Sequence, residues 1–511
     1  MKLRRGHFGG GQSNLWPLYL LTALLLVGCG SKNQETASPP AVDEEFWEAY
    51  YLQGAKIGYG RTTLKSRQRD DGSVVFDVDS LNHLTVKRFG TTTENDIEMQ
   101  TVETPEGRLL SFRTEVAMGP SPTISTGKVE GGEIVITTET GGRSDTARLP
   151  WSRDVRGFRG IEQTLAEEPL EPGEKRTIKM LMPLVNQIAE VDLTARDVEK
   201  TSVLGVDAEL LRVDSVARLP GGQSIETILW IDEDGEVIKN RVAALDQESY
   251  RTTRELALAP GGNQQQFDLG LDLIVPVDPP LENPHASQKV RYRVELKDSD
   301  PSEALASGST QKVDATGPHA AEVTVFAARG GKLAQPGEPA AKPGDEFTAP
   351  NGVLQADDAR IREMAREARG EAIDPTEVAL ALERYVNKVV SEKNFSHGFA
   401  TAADVAETRS GDCTEHAVLL AALLRACGIP SRVAIGLVYV ERAGGFGYHM
   451  WTEAYLGGHW VPLDGIRGQG GTSAAYLKLT DSSLAGTSAY SSFLAVARVL
   501  GQLKVEVVEA N

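Results

Sequence analysis

The hydrophobic pattern of this chain changes at about residue 355, from strands alone to helices followed by strands, and that change demands two different architectures in one polypeptide. From about Phe46 to about Leu256 the sequence reads as strand throughout. Val74-Val75-Phe76-Asp77-Val78, Glu133-Ile134-Val135-Ile136-Thr137 and Ala208-Glu209-Leu210-Leu211-Arg212-Val213 are examples. Gly- and Asp-rich turns separate such runs at short intervals, which predicts a large antiparallel sheet or half-barrel. Asp232, Asp234 and Gly235 invite a calcium-loop reading. The Gly comes too early for one, however, and Ala243 stands where the bidentate Glu belongs, so a strand–turn–strand is expected.

Beyond 355 the spacing becomes helical over 357–369 and 375–390, the latter with Pro375 in its first turn, where a missing N–H costs nothing. A short helix is expected at 402–407. The run 413–427 is nearly all apolar, and a helix apolar all round is a buried one. Gly428 and Pro430 stop it. Strands follow at 431–440, 448–456 and 459–463, making an α+β unit.

At 511 residues the chain exceeds one ordinary core, so a multidomain fold is expected. The pattern divides it into an N-terminal signal over 1–29, a polar flexible tether over 30–44 containing Pro39 and Pro40, and a large antiparallel β-rich domain over 45–256. A linker with a small β segment follows over 257–350, and the α+β domain occupies 351–511. The apolar fraction of 40% and charged fraction of 24% are those of a globular protein. A formal net charge of −19 with no basic stripe argues against a nucleic-acid partner.

Lys2, Arg4 and Arg5 precede a mostly apolar run over 15–27, short for a membrane span and ending in small residues, as a secretory signal does. Leu26-Val27-Gly28-Cys29 resembles a bacterial lipobox, which implies lipidation of Cys29 and an extracytoplasmic lipoprotein held at a membrane, in the periplasm or at the cell surface. Two further cysteines remain, Cys413 and Cys427. Both fall on one expected helix, 14 residues apart, which separates them by about 21 Å, whereas a disulfide tolerates at most ~7 Å between Cα atoms. Cys413 is therefore expected to be a free thiol outside the cytoplasm, and catalysis is the simplest reason for one.

Gly411-Asp412-Cys413 places that thiol in the first turn of the buried helix, where orphan N–H groups and the helix dipole stabilise an anion and lower a thiol pKa. Gly457-Gly458 reads as a two-residue hairpin turn. That register sets Leu456 opposite His459, Tyr455 opposite Trp460 and Trp451 opposite Asp464. His449 and Asp464 then become diagonal neighbours on one face, about 7–8 Å apart, close enough for a His–carboxylate hydrogen bond. Met450, Ala454, Leu456, Val461 and Leu463 take the core-facing side.

The stretch Thr408-Arg409-Ser410-Gly411-Asp412-Cys413-Thr414-Glu415-His416 resembles the nucleophile motif of bacterial transglutaminase-like domains. His449-Met450-Trp451-Thr452-Glu453-Ala454-Tyr455 resembles the family's H-x-W-x-E strand, and Trp460-Val461-Pro462-Leu463-Asp464 its Asp strand. The resemblance covers roughly residues 355 to 480. It implies a transglutaminase-like, papain-like fold and a Cys413–His449–Asp464 triad. Cys413 attacks a carboxamide or ester carbonyl, His449 shuttles the proton and Asp464 orients His449. Gly465-Ile466 follows Asp464 where many relatives carry Pro-Thr. Glu415 and His416 are near-site candidates as structural supports or substrate contacts, and Trp451 and Trp460 pack around the site or line its groove. Neither H-E-x-x-H nor an acidic cluster with ligand spacing occurs, so no metal or cofactor is expected.

Three functions follow as expectations. The first is an extracytoplasmic thiol enzyme acting on a protein or peptide substrate through a Cys acyl-enzyme, as hydrolase (peptidase or amidase) or as crosslinking acyltransferase. The second is a non-catalytic binding or scaffold lipoprotein that uses the β domain. In the third the β domain carries amphiphilic cargo.

Overall fold

The computed structural model describes residues 43–511 apart from 89, 221, 243–245, 262–267, 271, 298, 393–397 and 488. Cys29, the expected signal and all but the last two tether positions lie outside the described residues. Asp43 already opens the first strand, Asp43–Leu52.

Strict alternation decides the first half. In Val74–Arg88 and Thr91–Glu103 about every second side chain is buried, as a sheet with one covered face requires. Fifteen described strands between Asp43 and Thr252 form one sheet. Successive strands pair as antiparallel hairpins from Asp43–Leu52 to Arg143–Pro150 and again from Lys175–Met182 to Gln247–Thr252. The two-residue strand Val155–Arg156 adds in parallel to Lys175–Met182 at the far edge, and Gln247–Thr252 returns to Asp43–Leu52, with Trp47 opposite Thr252. The first strand is therefore central and strand 143–150 lies at an edge. The Asp232–Gly235 segment is a turn between Ser224–Ile231 and Val237–Val242. Asp232 Oδ1 accepts the N–H groups of Asp234 at 3.1 Å and Glu236 at 2.9 Å, which fixes the turn.

The second half is an α+β layer. Its sheet runs Gln311–Gly317, Ala320–Phe326, Lys289–Leu296, Leu503–Ala510, Val275–Asp278, Gly445–Leu456, Ser431–Val440, Tyr476–Ser482, and His459–Leu463 pairs with Gly445–Leu456. The boundary placed at 351 from the sequence does not divide this sheet: strands from 257–350 complete it. Lys289–Leu296 buries Val290, Tyr292 and Val294, and its neighbours are Ala320–Phe326 and the C-terminal strand.

Helix Cys413–Ala426 is buried from Cys413 to Arg425. Ala359–Arg369, Pro375–Val389 and Ala402–Thr408 pack around it, and Gly445–Leu456 lies beneath. Thr452 Oγ1 donates to Ala417 O at 2.9 Å and Ser431 Oγ to Ala421 O at 2.7 Å, fixing helix to sheet. Cys413 and Cys427 are free thiols.

The two halves share a continuous apolar core. Gly119 lies so close to the Phe399 backbone that a Cβ would sit 2.2 Å from its carbonyl oxygen. Ser121 Oγ donates to Asp404 at 2.9 Å, Asn186 Nδ2 donates to Thr487 O at 2.8 Å, and Arg143 pairs with Asp357. The large sheet thus brings the hairpin of Val74–Arg88 and Thr91–Glu103 onto the start of the Cys413 helix. Among the described residues no helix is long and apolar enough to cross a membrane, which says nothing of strands.

Candidate functional site

The residues before Cys413 build the helix start one position at a time. Gly411 adopts φ +152°, and a Cβ there would lie 2.3 Å from that of Glu415. Asp412 is the N-cap, its Oδ1 accepting Thr414 N–H at 2.8 Å, while Glu415 Oε2 accepts Asp412 N–H at 2.9 Å. This reciprocal capping box satisfies orphan donors of the first turn and fixes Cys413 as its first residue.

The Cys413 sulfur accepts the Met450 backbone N–H, so the nucleophile candidate lies against the residue that follows His449. Its acidity corrects the expectation from helix position. Burial pushes the Cys413 thiol well up, the Asp412 carboxylate adds to this, and the Met450 N–H and the Arg88 guanidinium oppose both. A helix end supplies only about half a unit of positive charge, and here the cap itself carries a full negative one.

His449 and Asp464 meet as the hairpin register requires. Gly457 and Gly458 take φ +58° and +86°, and the ladder pairs Leu456 with His459, Tyr455 with Trp460 and Thr452 with Leu463. His449 Nε2 stands 3.0 Å from Asp464 Oδ2. Tyr476 Oη donates to that same oxygen at 2.6 Å, and Ile466 N–H to Oδ1 at 2.9 Å. Burial pushes the Asp464 carboxyl up, but the His449 ring and these donors outweigh it and hold the group well below the usual carboxylate range. With an ionised acceptor at Nε2, the ring proton is assigned there. His449 Nδ1 is buried without a hydrogen-bond partner, so no hydrogen bond joins the ring to Cys413, which meets the N–H of the next residue, Met450.

The remaining sequence candidates divide. Trp451 stacks on His449, with ring centres 6.2 Å apart at 20°, and meets Tyr476 edge-on at 5.4 Å. Glu415 serves the cap, and burial followed by the Asp412 charge pushes its carboxyl well up. His416 Nδ1 lies 2.6 Å from Asp412 O, and burial lowers its basicity, so it braces the first turn. Trp460 lies elsewhere, packed on Arg432 at 4.1 Å and Phe347 at 5.2 Å. Glu453, the last residue of the H-x-W-x-E pattern, is buried against Lys478 at 2.8 Å and Arg432 at 2.7 Å and ties three strands together.

Three contributors escaped the sequence reading. Buried Glu383 accepts backbone N–H groups of Asp464 at 2.9 Å, Gly470 at 2.6 Å and Gly471 at 3.3 Å, anchoring the loop beyond the Asp strand. Burial raises its carboxyl to about 7 against these donors. Tyr476 opens a strand that was not expected. Arg88, from the β half, pairs with Asp412, and both side chains are 0% exposed. A charged residue at an expected core position of a helix or strand was the available signal for Glu383 and Arg88; Tyr476 offered none.

This geometry has a family counterpart. Residues 362–465 match the model of the transglutaminase-like superfamily, so this part of the chain is a transglutaminase-like domain. No curated protein matches the chain as a relative. Among solved structures, one from Cytophaga hutchinsonii, provisionally described as a cysteine protease, is 16% identical, covering 44% of this chain and 92% of its own at a TM-score of 0.30. A beta-barrel-like protein from Brucella abortus is 11% identical, with coverages of 42% and 97% and a TM-score of 0.30. Another from Parabacteroides distasonis, provisionally described as a protease, is 12% identical, with coverages of 67% and 64% and a TM-score of 0.18. Likeness at these scores is slight.

Proposed function

We propose that this protein is a thiol enzyme that opens peptide or carboxamide carbonyls through an acyl-enzyme on Cys413, anchored outside the cytoplasm by a lipid on Cys29. The observation that carries this reading is the placement of His449: one ring nitrogen is tied to Asp464, and the other is buried without a hydrogen-bond partner, on the residue next to Met450, whose backbone N–H meets the Cys413 sulfur. Catalytic hydrogen bonds in free enzymes are commonly long and tighten when substrate binds.

In the proposed cycle the Cys413 proton passes to His449 Nδ1 as the sulfur adds to the carbonyl carbon. The C–N bond then breaks, the leaving amine takes that proton, and the acyl group stays on sulfur as a thioester. Water releases it as an acid, or a second amine takes it to form a new amide. Asp464 keeps the ring oriented and stabilises the imidazolium formed in between.

The test is alkylation of the protein by iodoacetamide across pH 4 to 9, with peptide mapping, in wild type, Cys413→Ala and His449→Ala. Cys413 reactivity that falls on removal of His449 supports the pair. Cys413 that reacts only in denaturant, or as Cys427 does, sinks it and leaves the binding-lipoprotein reading.

A further inference from the structure

We propose that Arg88, supplied by the β half, is a positioning residue of the Cys413 site: its guanidinium neutralises the Asp412 cap and so sets the electrostatic field in which the thiol must ionise. The inference rests on the thiol-enzyme reading above. Arg88 and Asp412 are 324 residues apart in sequence, yet they form an ion pair with no exposed side-chain surface on either partner. An Asn or Ser would cap this helix as well as an Asp. An acidic cap next to a nucleophile therefore brings a charge that capping alone does not need, and burial leaves that charge no water to screen it.

The surroundings leave the balance to these two groups. On its own helix Cys413 is faced by Asp412, Glu415 and His416; from the neighbouring strand come the Met450 N–H and His449, with Asp464 behind it; from the β hairpin comes Arg88. Burial and the Asp412 charge push the Glu415 carboxyl well up while it stays hydrogen-bonded to Asp412, its charge acts on the thiol less than those of Asp412 and Arg88, and burial favours the uncharged His416. Asp412 is thus the anion adjoining the sulfur and Arg88 is the cation that answers it. The hairpin that carries Arg88 is itself fixed, since Gly90 N–H donates to Asp268 at 2.8 Å and Lys87 bridges to the same residue. Asp268 is in turn held by Asp272, which accepts its N–H at 2.7 Å.

The test uses the full chain and the pH profile of Cys413 alkylation, whose midpoint reports ionisation while access to the thiol sets its plateau. Arg88→Met leaves Asp412 uncompensated and should move the midpoint up by about one to three pH units, or about tenfold or more in rate at a fixed pH below it. Asp412→Asn leaves Arg88 alone and should move it down. The double variant should return toward wild type, and Arg88→Lys should stay near it. A brace without an electrostatic role predicts no such opposite signs. If Arg88→Met fails to fold, Asp412→Asn, its fold judged by circular dichroism, still gives the sign, with Arg88→Lys as the charge-preserving control. Shifts of folded Arg88→Met and Asp412→Asn in the same direction, or no shift in Asp412→Asn, overturn the proposal. His449→Ala in the same series separates the two failures: if its removal leaves Cys413 reactivity unchanged, the thiol-enzyme reading itself has failed.

Discussion

The Tyr476 hydroxyl donates to the Asp464 oxygen that also holds the His449 ring, at 2.6 Å, from a strand on the opposite side of Ser431–Val440. Asp464 is thereby oriented from three directions, by His449, Tyr476 and the Ile466 N–H, with its own N–H taken by Glu383. Each contact yields a measurable expectation.

Tyr476→Phe removes a hydrogen bond to a buried carboxylate, a loss of about 1.5–3 kcal/mol, or roughly tenfold to a hundredfold in any rate that depends on His449 orientation. Iodoacetamide rates at Cys413 report it. The same variant should be less acid-stable. Asp464 is held below its unfolded value, so its contribution is present above that value and is lost as pH falls through the folded one. Without Tyr476 the folded value rises, and acid unfolding followed by circular dichroism should begin at higher pH. An unchanged acid limb would show that the hydroxyl is incidental.

Glu383→Gln keeps one acceptor oxygen but turns an amide donor toward Gly470 N–H, so a destabilisation of about 1–3 kcal/mol is expected in urea unfolding. The pH dependence carries a distinct sign. A carboxyl raised to about 7 binds more protons folded than unfolded, so its contribution to stability is lost as pH rises from the ordinary carboxyl range to about 7. Urea midpoints at pH 5 and pH 8 should differ less, for this contribution, in the variant than in wild type. Equal differences would place the proton elsewhere.

Glu453→Ala strands Lys478, whose side chain is 5% exposed, beside Arg432 without their shared carboxylate, although Asp481 still reaches both. Breaking a buried pair from one side costs about 3–5 kcal/mol, and removing both partners together costs less. The thermal midpoint should therefore fall in Glu453→Ala and partly recover in Glu453→Ala with Lys478→Met. Reactivity of Cys413 in the folded fraction should persist, because Glu453 touches neither Cys413 nor His449; its loss would give this residue a chemical role.

Gly436 sits opposite His449, and a Cβ there would lie 2.0 Å from the Leu477 carbonyl and 2.9 Å from the Trp451 ring. Gly436→Ala should push Tyr476–Ser482 off Ser431–Val440 and take Tyr476 away from Asp464. Wild-type thermal stability together with wild-type Cys413 alkylation would contradict this close approach.

Local pattern carried a good deal of this protein. Alternation in Val74–Arg88 and its neighbours required a sheet with one covered face, and an apolar run stopped by Gly428 and Pro430 required a buried helix with Cys413 at its start. Two glycines at 457 and 458 set the register that puts His449 beside Asp464, because a two-residue turn leaves a ladder no other pairing. These are short-range consequences of backbone sterics and side-chain period, and they are legible in one dimension. Tertiary structure decided what depends on distant segments meeting. It joined strands from 257–350 to the C-terminal strand in one sheet, brought Tyr476 and Glu383 to Asp464, and set Arg88 against Asp412. It also reversed the acidity expected for Cys413, since desolvation and a neighbouring carboxylate are properties of the packed interior and outweigh the helix end that the sequence showed.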